Sequence, residues 1–440
     1  MTEYLPLFLL AISGMAFAVI VLLSRVPLLL TVMALGGTSA GLYLSDQLGF
    51  PPNLIKIYLS GIFAAGFLLL GRVGRFKTQM WEYFLLLFFV GRVLLDFVRP
   101  DFDLRYLFGG VGDGLFLTTT YFYFKKTFVA RPEATVSLLR AMLYASVAIG
   151  LFGLYEGVSG TDLFGFRDPR FMIEGRHRAN SIFGAPEFFG AAMALSIYLA
   201  MQLYWMGRLR RVTMLGLSSI LFLAMVASLY RGIWVAFAAG AFLLFVARPG
   251  PVRQLRVTLR IATSVIIAAV VVFPAQSLLK NTAIYQERIA NPENVDSRMK
   301  VYAAIARGVM DHPWIGYGTG TMVEYLSVTP HNPTDLNTPH NGYLAIVFEN
   351  GVVLLAIYLG WFIALLLRIR GTNRPATLVA GAMATMVLVT DMTMHFPLSS
   401  DYHSLLVVIA AALAMAEPDT PVQADSRPFQ SGRAAVVEAG

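Results

Sequence analysis

Apolar residues run along almost the whole chain in long blocks, each closed by a short polar or basic stretch. The blocks cover residues 4–23, 27–44, 55–71, 81–98, 106–124, 135–157, 187–206, 213–229, 231–247, 261–280, 341–367, 375–394 and 403–416. A helix needs about 20 such residues to cross the hydrocarbon of a bilayer, so the pattern predicts about 12–13 crossings. The expected fold class is all-α, a polytopic bundle of membrane helices. Residues 1–417 read as one transmembrane domain, and 418–440, with Pro418, Pro421 and Pro428 and no apolar periodicity, as a disordered cytoplasmic tail. The first apolar run lacks a basic leader and a small-residue cleavage site, so no cleavable signal is expected.

Two connections are long, 158–186 and 281–340, and both are expected to roof the working face. Within the second, Ser297–Met310 has a helical pattern with Asp296 or Ser297 as N-cap. Met299, Tyr302, Ile305, Ala306 and Val309 then share one side, which predicts a helix lying on the membrane surface or against the bundle. The following His312-Pro313-Trp314-Ile315-Gly316-Tyr317-Gly318-Thr319-Gly320 ends it in a turn open to close backbone approach.

Composition agrees with a membrane chain: of 440 residues 57% are hydrophobic and 14% charged, against about 25% charged in soluble domains. The formal charge of +8 sets orientation rather than nucleic-acid binding. Basic residues such as Arg72, Arg75, Lys77, Lys125, Lys126, Arg208, Arg210, Arg211, Arg368, Arg370 and Arg374 mark one alternating set of loops as cytoplasmic. The two long loops then face outward, yet they too carry arginines: Arg167, Arg170, Arg176, Arg178, Arg288, Arg298 and Arg307. Such arginines point either to an anionic ligand outside or to loops long enough to translocate regardless of charge. The chain has no cysteine, which removes disulfides, thiolate metal sites and thiol nucleophiles.

Three cationic or titratable positions stand out. Arg178 precedes Gly184, Pro186 and a helix start, where it can complete an anion site or snorkel to lipid phosphate. Arg231 sits between two apolar runs with almost no loop, a costly place for a guanidinium unless an incoming anion or a distant acid such as Asp391 or Asp401 meets it. His340 opens the run 341–367; a neutral imidazole at a lipid–water boundary can take a proton from a hydroxyl, or can simply be satisfied by backbone. Tyr343 and Leu344 share its helix face. Glu349 points the other way and reads as a buried structural acid that pairs with another helix through Arg92 or Arg140, while Gly351 is expected to allow close helix packing. Asp101-Phe102-Asp103 reads as a solvated loop, Arg92 and Asp96 as an intrahelical pair, and His331, His395 and His403 as weak candidates for a base or a metal site.

Taken in order, these segments resemble the O-antigen ligase and polymerase family of bacterial envelope glycosyltransferases, over roughly residues 140–400. The resemblance rests on Pro339-His340-Asn341-Gly342-Tyr343-Leu344 with Glu349-Asn350-Gly351, and on Arg298, Tyr302 and Pro313–Gly320. It rests also on Arg178 through Gly190, with Glu187 where asparagine is usual, and on Tyr230-Arg231-Gly232, with tyrosine where serine is usual. It implies an enzyme of the bacterial inner membrane with its site facing the periplasm. The donor would be a glycan on undecaprenyl diphosphate. The acceptor would be a sugar hydroxyl, on a carrier-linked repeat unit for a polymerase or on lipid A–core for a ligase, and a chain-length regulator is a further partner. It implies inverting transfer without metal or cofactor, with His340 as base and Arg178 and Arg231 as catalytic cations. Arg298, Arg176, Asn341, Tyr343 and Tyr302 would contact substrate. The modest outer loops favour a polymerase slightly. A lipid-linked sugar flippase is the competing reading, but it would need a charged path through the bundle.

Overall fold

Prolines open five of the helices, where the missing N–H costs nothing and the fixed φ already suits the first turn. The computed structural model describes residues 27–36, 38, 52–71, 77–98, 104–161, 163, 172–173, 176–247, 293–328, 340–368, 374–394 and 402–416. In chain order the helices are α1 (Pro27–Gly36), α2 (Pro52–Leu69), α3 (Tyr83–Phe97), α4 (Leu104–Ala130), α5 (Pro132–Ser159), α6 (Pro186–Trp205), α7 (Arg211–Ala227) and α8 (Arg231–Val246). After these come α9 (Glu293–Asp311), α10 (Thr321–Val328), α11 (Gly342–Leu367), α12 (Pro375–Asp391) and α13 (Tyr402–Ala416). A two-residue antiparallel pair, Met172–Ile173 with Arg176–His177, lies between α5 and α6.

The fold is thus an all-helical membrane bundle. Helices α5, α6 and α11 are long and apolar enough to cross a membrane, and shorter apolar helices surround them. Helix α6 forms the axis and is buried along nearly its whole length, packed by α7, α12 and α13. Small residues of α13 and α12 (Ala410, Ala411, Ala412, Ala380, Ala382) let those backbones come close. The predicted runs 4–23 and 261–280, most of 27–44 beyond Gly36, and the tail 418–440 lie outside the described residues, as do Asp101-Phe102-Asp103, His331 and His395.

Two ion pairs lie inside the bundle. Lys125 Nζ lies 2.6 and 2.7 Å from the two carboxylate oxygens of Glu82, which also accepts from Tyr121 at 2.5 Å. Lys56 meets Asp113 at 2.5 Å. Such pairs satisfy charges that would be very costly alone in hydrocarbon.

The largest departure from expectation is in α11. At Gly351 the backbone leaves the helix (φ 78°, ψ 172°). The expected close helix contact at Gly351 is instead a contact with loop backbone: a Cβ there would stand 2.0 Å from the carbonyl oxygen of Trp314. Loop 313–320 satisfies the groups that the break exposes. Val352 N donates to Pro313 O at 2.9 Å, and Tyr317 N and Gly318 N donate to Phe348 O and Glu349 O, each at 2.8 Å. A helix break within a membrane bundle needs such compensation.

Helix α9 begins before the predicted Ser297. Of the two positions expected for it, it takes the one against the bundle: Val301, Ala304 and Ile305 are buried with Ala345 and Phe348 of α11. The predicted stripe is split, because Met299 and Ala306 are exposed on the other side.

Candidate functional site

Four segments far apart in sequence meet at one end of the bundle. The first carries Arg178, which is buried at 7% exposure. Its Nε and Nη2 donate to the Ser228 carbonyl at 3.0 and 2.7 Å, and Ala179 N donates to Ala227 O at 3.4 Å. The chain beyond it is clamped by Glu156, a fully buried carboxylate on α5. One of its oxygens accepts from Asn180 N at 3.3 Å and Ser181 N at 2.6 Å, and the other from Leu163 N at 3.2 Å. Sequence reading missed Glu156; an acid inside the apolar run 135–157 was the available signal.

The second segment is the turn Ser228–Tyr230, which delivers Arg231 as the first residue of α8. It wedges against α6 because Gly190 has no side chain: a Cβ there would lie 2.7 Å from Ser228 Oγ. Arg178 Cζ stands 5.8 Å from the Tyr230 ring centroid, a cation–π distance. Arg231 is exposed.

The third segment is the start of α11. Asn341 is its N-cap, its Oδ1 accepting from Leu344 N at 3.0 Å. Its Nδ2 reaches Met392 O at 3.4 Å, and Tyr343 OH donates to Leu388 O at 2.5 Å. Tyr230 OH donates to Thr393 O at 3.1 Å. The C-terminal end of α12 is therefore a shared floor under both the His340 turn and the Arg231 turn. Asp391, considered as a partner for Arg231, instead accepts from Tyr358 of α11.

The fourth segment is α9, which brings Arg298 and Tyr302, both half-buried. Burial holds the His340 imidazole below the usual histidine range, and the positive charge of Arg298 pushes the same way. Burial raises the Tyr230 phenol to about 12; Glu187 and Tyr302 add to this, while Arg298 and Arg178 oppose it. Arg298 thus acts electrostatically on both His340 and Tyr230, and Arg178 acts on Tyr230, so the three arginine-bearing segments and the histidine surround one locale. Arg176 is placed by its backbone in the strand pair preceding Arg178.

The polar pair further down α11, Glu349 and Asn350, holds the loop 313–320. Glu349 is buried, its carboxylate accepts backbone hydrogen bonds from Gly320 and Met322, and Arg92 lies within its electrostatic reach. Of its two expected partners, Arg140 is used elsewhere, donating to Arg208 O at 2.5 Å. Asn350 Nδ2 donates to Thr319 Oγ1 at 3.2 Å, and Asp96 accepts from Thr319 N at 3.0 Å, so Asp96 serves the loop. The His403 ring stacks on Phe188 at 6.1 Å and is buried, which suits packing.

A membrane bundle with a cationic, histidine-bearing rim is the class that this fold and rim define. Residues 216–359 match the family model Wzy_C, described as O-antigen ligase. The match supports the O-antigen ligase and polymerase family, in line with the resemblance of the motifs. It spans Arg231, Arg298, Tyr302, His340, Asn341 and Tyr343, while Arg176 and Arg178 precede it. No curated protein matches the chain.

Proposed function

We propose that this chain transfers a glycan from undecaprenyl diphosphate to a sugar hydroxyl at the periplasmic face of the bacterial inner membrane. The reading is supported above all by Arg298, whose charge reaches both the His340 turn and the Tyr230 turn that carries Arg231. A diphosphate leaves as an anion, so the barrier falls when preorganised cations sit where its charge grows; a single such contact is worth several kcal/mol, about 10²–10³-fold in rate. Arg178, Arg231 and Arg298 are the cations assigned to that task. Loss of the acceptor proton is assigned to His340, whose neutral form is favoured by burial and by Arg298. Positioned proton transfer contributes roughly 10²–10⁴-fold. The nucleophilic hydroxyl attacks the anomeric carbon, the bond to the diphosphate oxygen breaks, and inversion follows from one displacement.

Tyr302 and Tyr343 offer ring surface to sugars near the base, and Arg176 is assigned to substrate contact. Between the two acceptors, a carrier-linked repeat unit is favoured, since the outer segments are short for docking a large core oligosaccharide. The test is transfer by the purified protein from a carrier-linked glycan. His340→Ala and Arg231→Ala should each abolish product in a folded protein. Retained transfer in either variant overturns the assignment, and movement of the carrier-linked glycan across the bilayer without transfer would favour a flippase.

A further inference from the structure

Helix α9 has a second apolar face that is exposed among the described residues. Met299, Ala303, Ala306 and Met310 follow one another along it and are exposed, with Lys300 and Arg307 beside them. The stripe continues into the turn after the helix, where Trp314 is 67% and Ile315 44% exposed.

The depth of that turn can be read from α11. Arg298, near the start of α9, lies within electrostatic reach of His340, at the head of α11. At the far end, Pro313 O accepts from Val352 N and Trp314 O abuts Gly351. Helix α9 therefore descends beside α11 by about 13 Å between the level of Gly342 and that of Gly351. Helix α11 ends at Leu367. The unbroken stretch below the break, Val352–Leu367, covers about 24 Å of a hydrocarbon core about 30 Å thick, so the near edge of the core lies close to the level of Gly351. The turn at Trp314 is thus level with the edge of the hydrocarbon. Val352 and Val353, its neighbours on α11, are exposed as well.

We propose that α9, the turn 312–320 and α10 form a re-entrant hairpin whose tip is seated in the bilayer leaflet nearest His340. The occupant of the uncovered stripe is lipid: acyl chain against Met310, Trp314 and Ile315, and phosphate against Lys300 and Arg307. An indole at the hydrocarbon edge and cations flanking an apolar stripe are the chemistry of an interfacial anchor. The hairpin is then held at the rim by the membrane itself, and the reading does not depend on which reaction the rim performs.

Because the chain has no cysteine, Trp314→Cys, Ile315→Cys, Val353→Cys and Lys300→Cys each give a single labelling site. Each full-length variant is spin-labelled in nanodiscs and exposed in turn to oxygen, which partitions into lipid, and to a water-soluble nickel chelate. Labels at 314 and 315 should resemble the label at 353, with oxygen broadening dominant, and differ from the label at 300. Nickel access at 314 and 315 equal to that at 300 overturns the proposal. Exclusion of both reagents with spin–spin broadening also overturns it, by showing that a second copy covers the stripe. The readout involves no glycan transfer, so it stands or falls separately from the proposed activity.

Discussion

Arg178 and Ser228 are joined by a two-pronged hydrogen bond, in which Nε and Nη2 share one carbonyl at 3.0 and 2.7 Å. The cation thereby braces the turn from which Arg231 projects. In the proposed site this makes Arg178 a support for another cation as well as a source of charge.

Arg178→Lys keeps the charge but loses the planar fork. Transfer should fall by about 10-fold or more, while stability falls by only ~1 kcal/mol, the scale of one net hydrogen bond. Single-turnover transfer and thermal unfolding in detergent, measured on the same sample, separate the two effects. A wild-type rate would show that the brace is dispensable.

The pH dependence follows from His340. Burial and Arg298 both disfavour the imidazolium, so the neutral base persists to a pH below the ordinary value of about 6.5. The acid limb of kcat/KM against pH should therefore lie under that value. Arg298→Gln removes one of the two causes and should move the limb upward. A limb that stays put in this variant would mean that Arg298 and His340 do not communicate.

Asn341 caps α11 through Oδ1. Asn341→Asp keeps that acceptor and places negative charge at a helix N-terminus, where it is favourable. Transfer should stay near wild type, whereas Asn341→Ala should cost about 1 kcal/mol of stability. Strong loss of transfer in the aspartate variant, at unchanged thermal stability, would instead place the amide on substrate.

Gly351→Ala should dislodge the hairpin tip. A methyl group has no room beside Trp314 O, and the positive φ disfavours any side chain, so a cost of about 1–3 kcal/mol from backbone strain alone is expected. The amides of Tyr317 and Gly318, bonded to Phe348 O and Glu349 O, should exchange hydrogen faster. Unchanged exchange would show that the loop does not depend on the break.

Much of the bundle could be read from hydrophobic runs, because a lipid-facing helix must be apolar along its whole length. The runs 135–157, 187–206, 341–367 and 375–394 correspond to α5, α6, α11 and α12 within a few residues. The cations of the rim were legible for the opposite reason: a guanidinium beside an apolar run is expensive without a partner. What could not be read were relations between segments. Nothing local in Gly351 distinguishes a helix contact from a helix break filled by loop 313–320. Nothing local in Thr390 to Thr393 shows that the His340 turn and the Arg231 turn both rest on the end of α12. Glu156 was visible only as an acid inside an apolar run, because its partners are backbone amides, which carry no sequence signature.

Ser181, Leu229 and His340 are the non-glycine residues with left-handed backbone among those described, at φ 48°, 53° and 47°. Each lies in a different turn of the same rim. Left-handed backbone at such residues stores roughly 1–3 kcal/mol apiece and survives only where neighbours enforce it. The rim is thus a tensioned part of the molecule, and variants selected only for heat resistance would relax it first. Glycine at Leu229 would relieve the tension and let the Arg231 turn wander, a bargain that favours a tougher protein and a slower one.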